Sequence, residues 1–414
     1  MAAIFPFRAL RPDPEAASLV ASVPYDVVST AEARALVSGN PLSFLRVTRA
    51  EVDLPPSANP YDDQVYAQAV RNFEALKRDA PLVIEEQPSL YLYRLRMGTH
   101  EQTGVAGCFS LDEYDSDLIK KHERTRKDKE DDRTKHMLEL RAQTGVVFLT
   151  YRASASIDRL VEQAATKAPL FDFVAPDGVA HTMWRLPDAA PFVQGFAELP
   201  ALYIADGHHR VASAARAREM LLEKTSASGG SGGAAHRREL EAGRFVAVAF
   251  PDNQVQILGY HRVVRDLSGL TPEAVLANLR GRMSVTEGRR SRTSGGRVEM
   301  FLDGRWYVLA LPHAPAGTPR ADTLDVETLQ REVLTPMFGI GDIRTDKRID
   351  FVGGARGTAE LERRVSSGEA AAAFALHPVD VADLLTIADA GGIMPPKSTW
   401  FEPKLRDGFL THLI

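Results

Sequence analysis

Residues 201–216 read Ala-Leu-Tyr-Ile-Ala-Asp-Gly-His-His-Arg-Val-Ala-Ser-Ala-Ala-Arg, and no other stretch restricts the fold as tightly. An apolar run, Leu202 to Ala205, stops at Asp206 and Gly207 and gives way to alanine-rich helix formers. This predicts a strand, a tight turn and a helix start. Such a corner aims unpaired backbone N–H groups at whatever lies above the turn, and the helix dipole adds to their pull on anions. Gly207 lets backbone approach a ligand closely, because it has no Cβ. With Arg210 and two histidines beside it, the corner suits a phosphate. Asp206, at the strand end, is placed to hold a divalent metal or act as a base. An isolated Asp-Gly reads equally as an N-cap and a turn; His208, His209 and Arg210 directly after it favour a site. A zinc site is disfavoured, since adjacent helical histidines point about 100° apart and no His-Glu-x-x-His or Cys-x-x-Cys pattern accompanies them.

Three further groups carry candidate chemistry. Residues 119–136 hold eight Lys or Arg and five Asp or Glu. The downstream part, 126–136, reads as a solvated helix with internal ion pairs. At its front, His122 and Glu123 flanked by cations form a candidate acid/base pair, with Glu123 the candidate base. Arg344 and Lys347, in Arg344-Thr-Asp-Lys-Arg-Ile-Asp350, are candidates for neutralising a second anion, although an exposed polar turn is the commoner use of such residues. Near the end, Met394-Pro-Pro-Lys-Ser-Thr399 offers Lys397, Ser398 and Thr399 behind a rigid proline lead-in, a donor set for phosphate oxygens. Trp400 and Phe401 after it read as core.

The 414 residues allow a large core and two lobes. Boundaries of 1–195 for an N-terminal α/β lobe and 196–414 for a C-terminal α+β lobe, intertwined, are expected. A net charge of −5 gives no overall attraction to nucleic acid or anionic membranes. No apolar run is long enough to span a bilayer, and the first residues lack a secretion signal. A single cysteine, Cys108, excludes an intramolecular disulfide and reads as a small buried hydrophobe. A cytoplasmic protein is expected. Periodicity predicts helices from Thr30 to about Gly39 (capped by Ser29) and over 60–79, 155–167, 323–338, 357–366 and 378–389. Strands are predicted over 89–96, 105–111, 146–151, 349–352, 370–376 and 400–401. Hairpins are predicted over 244–264, turning at Asp252-Asn253, and 297–311, turning at Asp303-Gly304. Ser226 to Ala235, rich in glycine and serine, reads as a surface loop. The fold class is therefore α+β: mixed sheets with antiparallel hairpins and flanking helices.

Across nearly its whole length the sequence resembles a widespread bacterial family catalogued as a domain of unknown function. The likeness lies in Ile4-x-Pro-Phe-Arg-Ala, Pro24-Tyr-Asp-Val-Val, Asn40-Pro-x-Ser-Phe-Leu, His122-Glu-x-Thr, Ala205-Asp-Gly-His-His-Arg, Arg344-Thr-Asp-Lys-Arg-Ile and Met394-Pro-Pro-Lys-Ser-Thr. Asp-Gly-His-His-Arg in turn resembles the signature of the ParB/sulfiredoxin-like superfamily, which includes free serine kinases. Sulfiredoxins carry Gly-Cys-His-Arg, and His208 stands where their cysteine does. ParB proteins carry Gly-Glu-Arg-Arg and add a DNA-binding unit that is not evident here. The kinase version, Asp-Gly-His-x-Arg, matches best. The resemblance implies a ParB/sulfiredoxin-like nucleotide-binding element in which Gly207, His208, His209 and Arg210 cradle the phosphates of ATP or ADP. It places Asp206 on the Mg²⁺ or acceptor side.

The expectation is a nucleotide-dependent phosphotransferase, a kinase for the hydroxyl of a free amino acid such as serine or a similar metabolite. Its partners are a small-molecule substrate and a nucleotide, without nucleic acid or membrane. A nucleotide-binding regulatory module and a phosphatase or other hydrolase at the same site are the alternatives.

Overall fold

The computed structural model describes residues 1–227, 239–289 and 295–414. Most of the glycine-serine stretch, from residue 228 onward, lies outside the described residues. Two compact units emerge: Met1–Val255 with Pro403–Ile414, and Gln256–Glu402.

The first unit is built on a nine-stranded mixed sheet. In chain order its strands are β1 (Ile4–Phe5), β2 (Leu90–Met97), β3 (His100–Ser110), β4 (Ile119–Lys120), β5 (Val147–Tyr151), β6 (Phe171–Val174), β7 (Ala180–Leu186), β8 (Leu202–Asp206) and β9 (Arg244–Pro251). They lie in the order β4-β8-β5-β9-β3-β2-β7-β6, with β1 on β3. Only β4–β8 and β5–β9 run parallel. Every residue of Val147–Tyr151 is buried, as is all but the first of Arg244–Pro251, the continuous apolar pattern of strands covered on both faces. On one face Val147, Leu149, Tyr151, Phe245, Ala247 and Ala249, with Leu92, Val105, Phe109, Ile204 and Phe196, form one core. Cys108 of β3 is buried and its thiol pKa is pushed well up by burial, in keeping with its inert reading.

Around the sheet lie α1 (Thr30–Val37), α2 (Asp63–Asp79), α3 (Lys127–Leu140), α4 (Ala155–Ala165), α5 (Ala190–Ala197) and α6 (His208–Ala227). Ser29 and Glu32 close α1 with a reciprocal capping box. In α2, Val65, Ala69, Phe73 and Leu76 share one buried face, which packs with Leu10, Phe44 and Val47. The charged segment is a helix only from Lys127, and Arg216 of α6 meets its Glu130 and Asp131.

Strand β9 departs from expectation. The predicted hairpin over 244–264 does not form, because β9 lies between β5 and β3 in the large sheet. The lobe boundary at 195/196 also differs from the observed division. A cut there would remove β8 and β9 from the sheet that holds them, whereas the compact boundary falls after Val255.

Close strand approach in this sheet depends on Gly104. A Cβ there would lie 2.7 Å from Val248 Cγ1 and 2.8 Å from the Ala249 carbonyl oxygen. That carbonyl belongs to a central strand and has little room to retreat. Gly104→Ala is expected to cost about 1–3 kcal/mol, read as a lower denaturant midpoint at unchanged slope.

The second unit carries an antiparallel six-stranded sheet and a separate two-stranded pair. Its strands are β10 (Gln256–Leu258), β11 (Tyr260–Val264), β12 (Ser284–Glu287), β13 (Arg297–Leu302), β14 (Arg305–Ala310), β15 (Ile349–Gly353), β16 (Ala372–Ala375) and β17 (Trp400–Glu402). The sheet order is β12-β14-β13-β16-β11-β15, while β10 pairs with β17. The β13–β14 hairpin turns at Asp303-Gly304 as predicted, both residues at positive φ. Helices α7 (Pro272–Arg280), α8 (Gly357–Ser366) and α9 (Val381–Asp389) accompany the sheet. The helix expected over 323–338 appears as Asp325–Leu329, a π-type turn over Gln330–Leu334, and Thr335–Phe338. Pro336 has no N–H to offer the preceding turn, which is where the helix widens. Gly339, at φ 63°, ends it. Among the described residues no helix is long and apolar enough to cross a membrane.

Candidate active site at the Asp-Gly-His-His-Arg corner

Strand β8, the turn and α6 form the strand–turn–helix that the sequence pattern predicts. Gly207 sits at φ +98° between them, a backbone conformation that favours glycine. Arg210 N–H and Val211 N–H already bond to the Gly207 carbonyl. The first N–H groups of a helix have no carbonyl one turn earlier within the helix, and here they belong to the residues immediately after Asp206.

Asp206 closes the strand. Its Oδ2 accepts from Lys404 Nζ at 2.8 Å. Burial raises the carboxyl pKa, but the Lys404 ammonium and the Arg210 guanidinium outweigh that and hold it well below the usual carboxylate range. Asp206 is thus an anion at neutral pH. Lys404 was not singled out in the sequence. It arrives on residues 403–413, which are anchored in the first unit: Arg406 bonds Asp177 and His181, Phe409 stacks on Tyr93, Phe171 and Phe173, and His412 pairs with Gln143.

The two histidines of the motif diverge. His208 is buried, and its Nε2 accepts from the His122 backbone N–H at 3.4 Å. The proton of the neutral ring therefore rests on Nδ1, which lies 3.9 Å from Glu123 Oε2. The His122 ring stands edge-on to His208 at 4.4 Å between centroids. It is 1% exposed, and neither of its nitrogens forms a hydrogen bond of good geometry. Burial pushes His122 down to about 4 despite nearby Asp206, and burial with His122 beside it lowers His208 well below the ordinary histidine range. Both rings are neutral at pH 7, so they offer hydrogen bonds and no positive charge. His209, half-buried, accepts from the Arg126 N–H through Nε2 at 2.9 Å.

Arg210 lies inside the first unit, 4% exposed. Its Nη1 donates to the Val146 carbonyl at 2.9 Å, and Nη2 donates to both oxygens of Asp26 at 2.9 and 3.0 Å. Gly145 makes this possible, because a Cβ there would stand 3.1 Å from Arg210 Cδ. The family resemblance implies that this guanidinium faces the phosphates; in the fold its fork instead fixes the loop that carries Tyr25 and Asp26. Behind it lies Asp407, 1% exposed, whose backbone pairs with Ser22. Burial is the largest influence on the Asp407 carboxyl and raises it to about 7, although Arg210 opposes the shift. Arg133 of α3 stacks over Tyr25 at 4.3 Å and pairs with Asp132, which also accepts from Tyr66.

The corner therefore gathers Asp206, Gly207, His208, Arg210, His122 and Glu123, all expected, with Asp26, Lys404 and Asp407, which were not. Only Asp26 left a trace, inside the Pro24-Tyr-Asp motif. Arg344, Lys347, Lys397, Ser398 and Thr399 lie in the second unit. There Arg344 is exposed and held by Asp342 in a two-point pair at 2.9 Å, Lys347 is exposed, and Ser398 is buried. Among the described residues no group of three or more His, Cys, Asp or Glu side chains is placed to cage a metal.

Residues 4–330 match the family described as "Protein of unknown function (DUF1015)". The chain belongs to the DUF1015 family. The matched range holds Asp26, Glu123 and the whole Asp206–Arg210 corner, and stops before Lys404 and Asp407. No curated protein matches this DUF1015 chain. Among solved structures it is similar to a conserved hypothetical protein from Pyrococcus furiosus, with 13% identity, 74% of this chain and 95% of that one covered, and TM-score 0.35. It is also similar to a free serine kinase in complex with AMP, at 11% identity, 74% and 91% coverage and TM-score 0.36. A third is SbnI with C-terminal truncation from Staphylococcus aureus, at 10% identity, 74% and 87% coverage and TM-score 0.38.

Proposed function

We propose that this chain is a nucleotide-dependent phosphotransferase acting on the hydroxyl of a small metabolite, a free amino acid such as serine being the leading acceptor. One observation carries the reading: an ionised Asp206, paired to Lys404, ends a strand directly beneath the N-terminus of a 20-residue helix. A carboxylate, an ammonium and a dipole-positive helix end at one corner suit a phosphoryl group in transit. The resemblance of Asp206-Gly-His-His-Arg210 to the serine-kinase signature supports the same reading.

In this proposal ATP or ADP lays its phosphates on the helix start, against the N–H groups beside Gly207. The Asp206 carboxylate would suit a Mg²⁺ ion that takes its remaining ligands from phosphate and water, as that ion commonly does; the ion would offset charge on the transferred oxygens. Lys404 adds a second cation. Glu123 accepts the proton of the acceptor hydroxyl as its oxygen bonds to phosphorus and the bridging P–O bond of the nucleotide breaks. His208 Nδ1 stands beside this base, 3.9 Å from Glu123 Oε2. Arg210 is a positioning residue that holds the corner through Asp26 and Val146.

Phosphorus NMR of the full chain with Mg²⁺, ADP or ATP and a panel of hydroxy amino acids tests this. A new phosphomonoester is expected, formed in step with loss of the donor's terminal phosphate. Glu123→Gln and Asp206→Asn should each lower that rate about a hundredfold. Full activity in Asp206→Asn would overturn the assignment. Saturable nucleotide binding without product identifies a regulatory module instead, and inorganic phosphate released without acceptor identifies a hydrolase.

A further inference from the structure

The second unit contains a cavity of about 540 Å³ that plays no part in the reading above. Arg262, on β11, lines it and is 1% exposed. Its Nη2 donates to the Pro396 carbonyl at 3.3 Å, its Nη1 to the Tyr260 carbonyl, and its guanidinium lies 5.4 Å from the Phe351 ring. Among the described residues no carboxylate pairs with it. Two neutral carbonyls and a ring leave a buried cation without a counter-ion, and several of its five N–H groups are uncommitted. Burial lowers it to about 10, so it remains charged at neutral pH. A buried charge is normally paired or assigned to a ligand.

The rest of the lining narrows the ligand. Ser398, buried and already expected to bind an anion, supplies a hydroxyl. Asp325, Asp380 and Asp383 also line the cavity. Asp383 is tied to Arg320 by two bonds of 2.6 Å, and Asp325 accepts from the Gly296 N–H at 2.9 and 3.1 Å. Three carboxylates against Arg262 and the Asp383-paired Arg320 in one lining disfavour a polyanion such as a nucleoside triphosphate. They welcome a ligand whose anionic end is balanced by an ammonium.

We propose that this cavity binds a small carboxylate, best an amino-acid zwitterion, with Arg262 receiving the carboxylate and Asp325 and Asp380 facing the ammonium. The site stands on the second unit alone, so it is independent of phosphoryl transfer at Asp206.

The test is isothermal titration of the full chain, without nucleotide, using glycine, acetate, malonate and inorganic phosphate at constant ionic strength. Saturable glycine binding is expected, tighter than acetate and tighter still than malonate or phosphate. Arg262→Met should weaken glycine at least tenfold, and Asp206→Asn should leave it unchanged, which separates this site from the phosphotransferase corner. If Arg262→Met does not fold, Ser398→Ala and Asp380→Asn take its place, and each should weaken glycine several-fold. No saturable binding, phosphate binding best, or glycine affinity unaltered in these variants would each overturn the proposal.

Discussion

Replacing Arg210 with alanine is expected to lower the thermal midpoint of the first unit by on the order of 10 °C. Among the described residues the guanidinium is the only positive group that bonds Asp26, and it acts on the buried Asp407 carboxyl as well. Its Nη1 also satisfies the Val146 carbonyl. Truncation leaves a carbonyl without its donor and two acidic groups without their cation. Removing one partner of such a buried pair costs about 3–5 kcal/mol, much of it the penalty on the group left behind. Asp26 is partly exposed and can recover water, so the Asp407 side should dominate. A calorimetric comparison of Arg210→Ala with Arg210→Ala/Asp407→Asn decides this. The double variant should regain a substantial part of the loss. Simple additivity would mean that the two groups do not interact.

Asp407→Asn alone should stabilise the protein at pH 8 and flatten its stability profile between about pH 4 and 7. The sign follows from proton counting. In the unfolded chain this carboxyl titrates near 4, and in the fold burial raises it to about 7. Across that window the native state binds more protons than the unfolded one, so stability falls as pH rises. The loss is complete above pH 7 and absent below 4. A shift of this size corresponds to at most about 4 kcal/mol. Urea midpoints at pH 4, 6 and 8 for wild type and variant should diverge progressively, the variant being the more stable at pH 8. Parallel profiles would show that the Asp407 charge is compensated in the fold.

What was legible at the corner is its local half. The Asp206–Arg210 turn follows from an apolar run, a glycine and helix formers adjacent in sequence, and His122 with Glu123 stood out as a polar break between strand and helix. The other half comes from residues 184 and 198 positions away along the chain, Asp26 bonding Arg210 and Lys404 bonding Asp206. No local period announces such pairs, and Lys404 follows a stretch whose cation and hydroxyls, Lys397 to Thr399, draw the phosphate reading instead. One role inverted for the same reason. Arg210 reads as a phosphate-binding cation until its distant carboxylate is known.

The fold divides in the same way. The β13–β14 hairpin was legible because Asp303-Gly304 supplies its turn locally, and the capped α1 because Ser29 and Glu32 lie three residues apart. Strand β9 was misassigned because its neighbours, β5 and β3, lie about a hundred residues or more upstream, one of them parallel. A parallel partner needs no hairpin signal.

The second unit begins and ends on strands that face each other, Gln256 opposite Glu402 across an antiparallel pair. Residues so placed sit about 5 Å apart, a gap one or two glycines can bridge. Ribosomal synthesis must therefore complete this whole insert before Lys404 and Asp407 exist, so the Asp206 corner acquires these two charges only after the second unit has been made. Splicing residue 255 to 403 would deliver those charges early and yield a shortened chain in which the corner can be studied by itself.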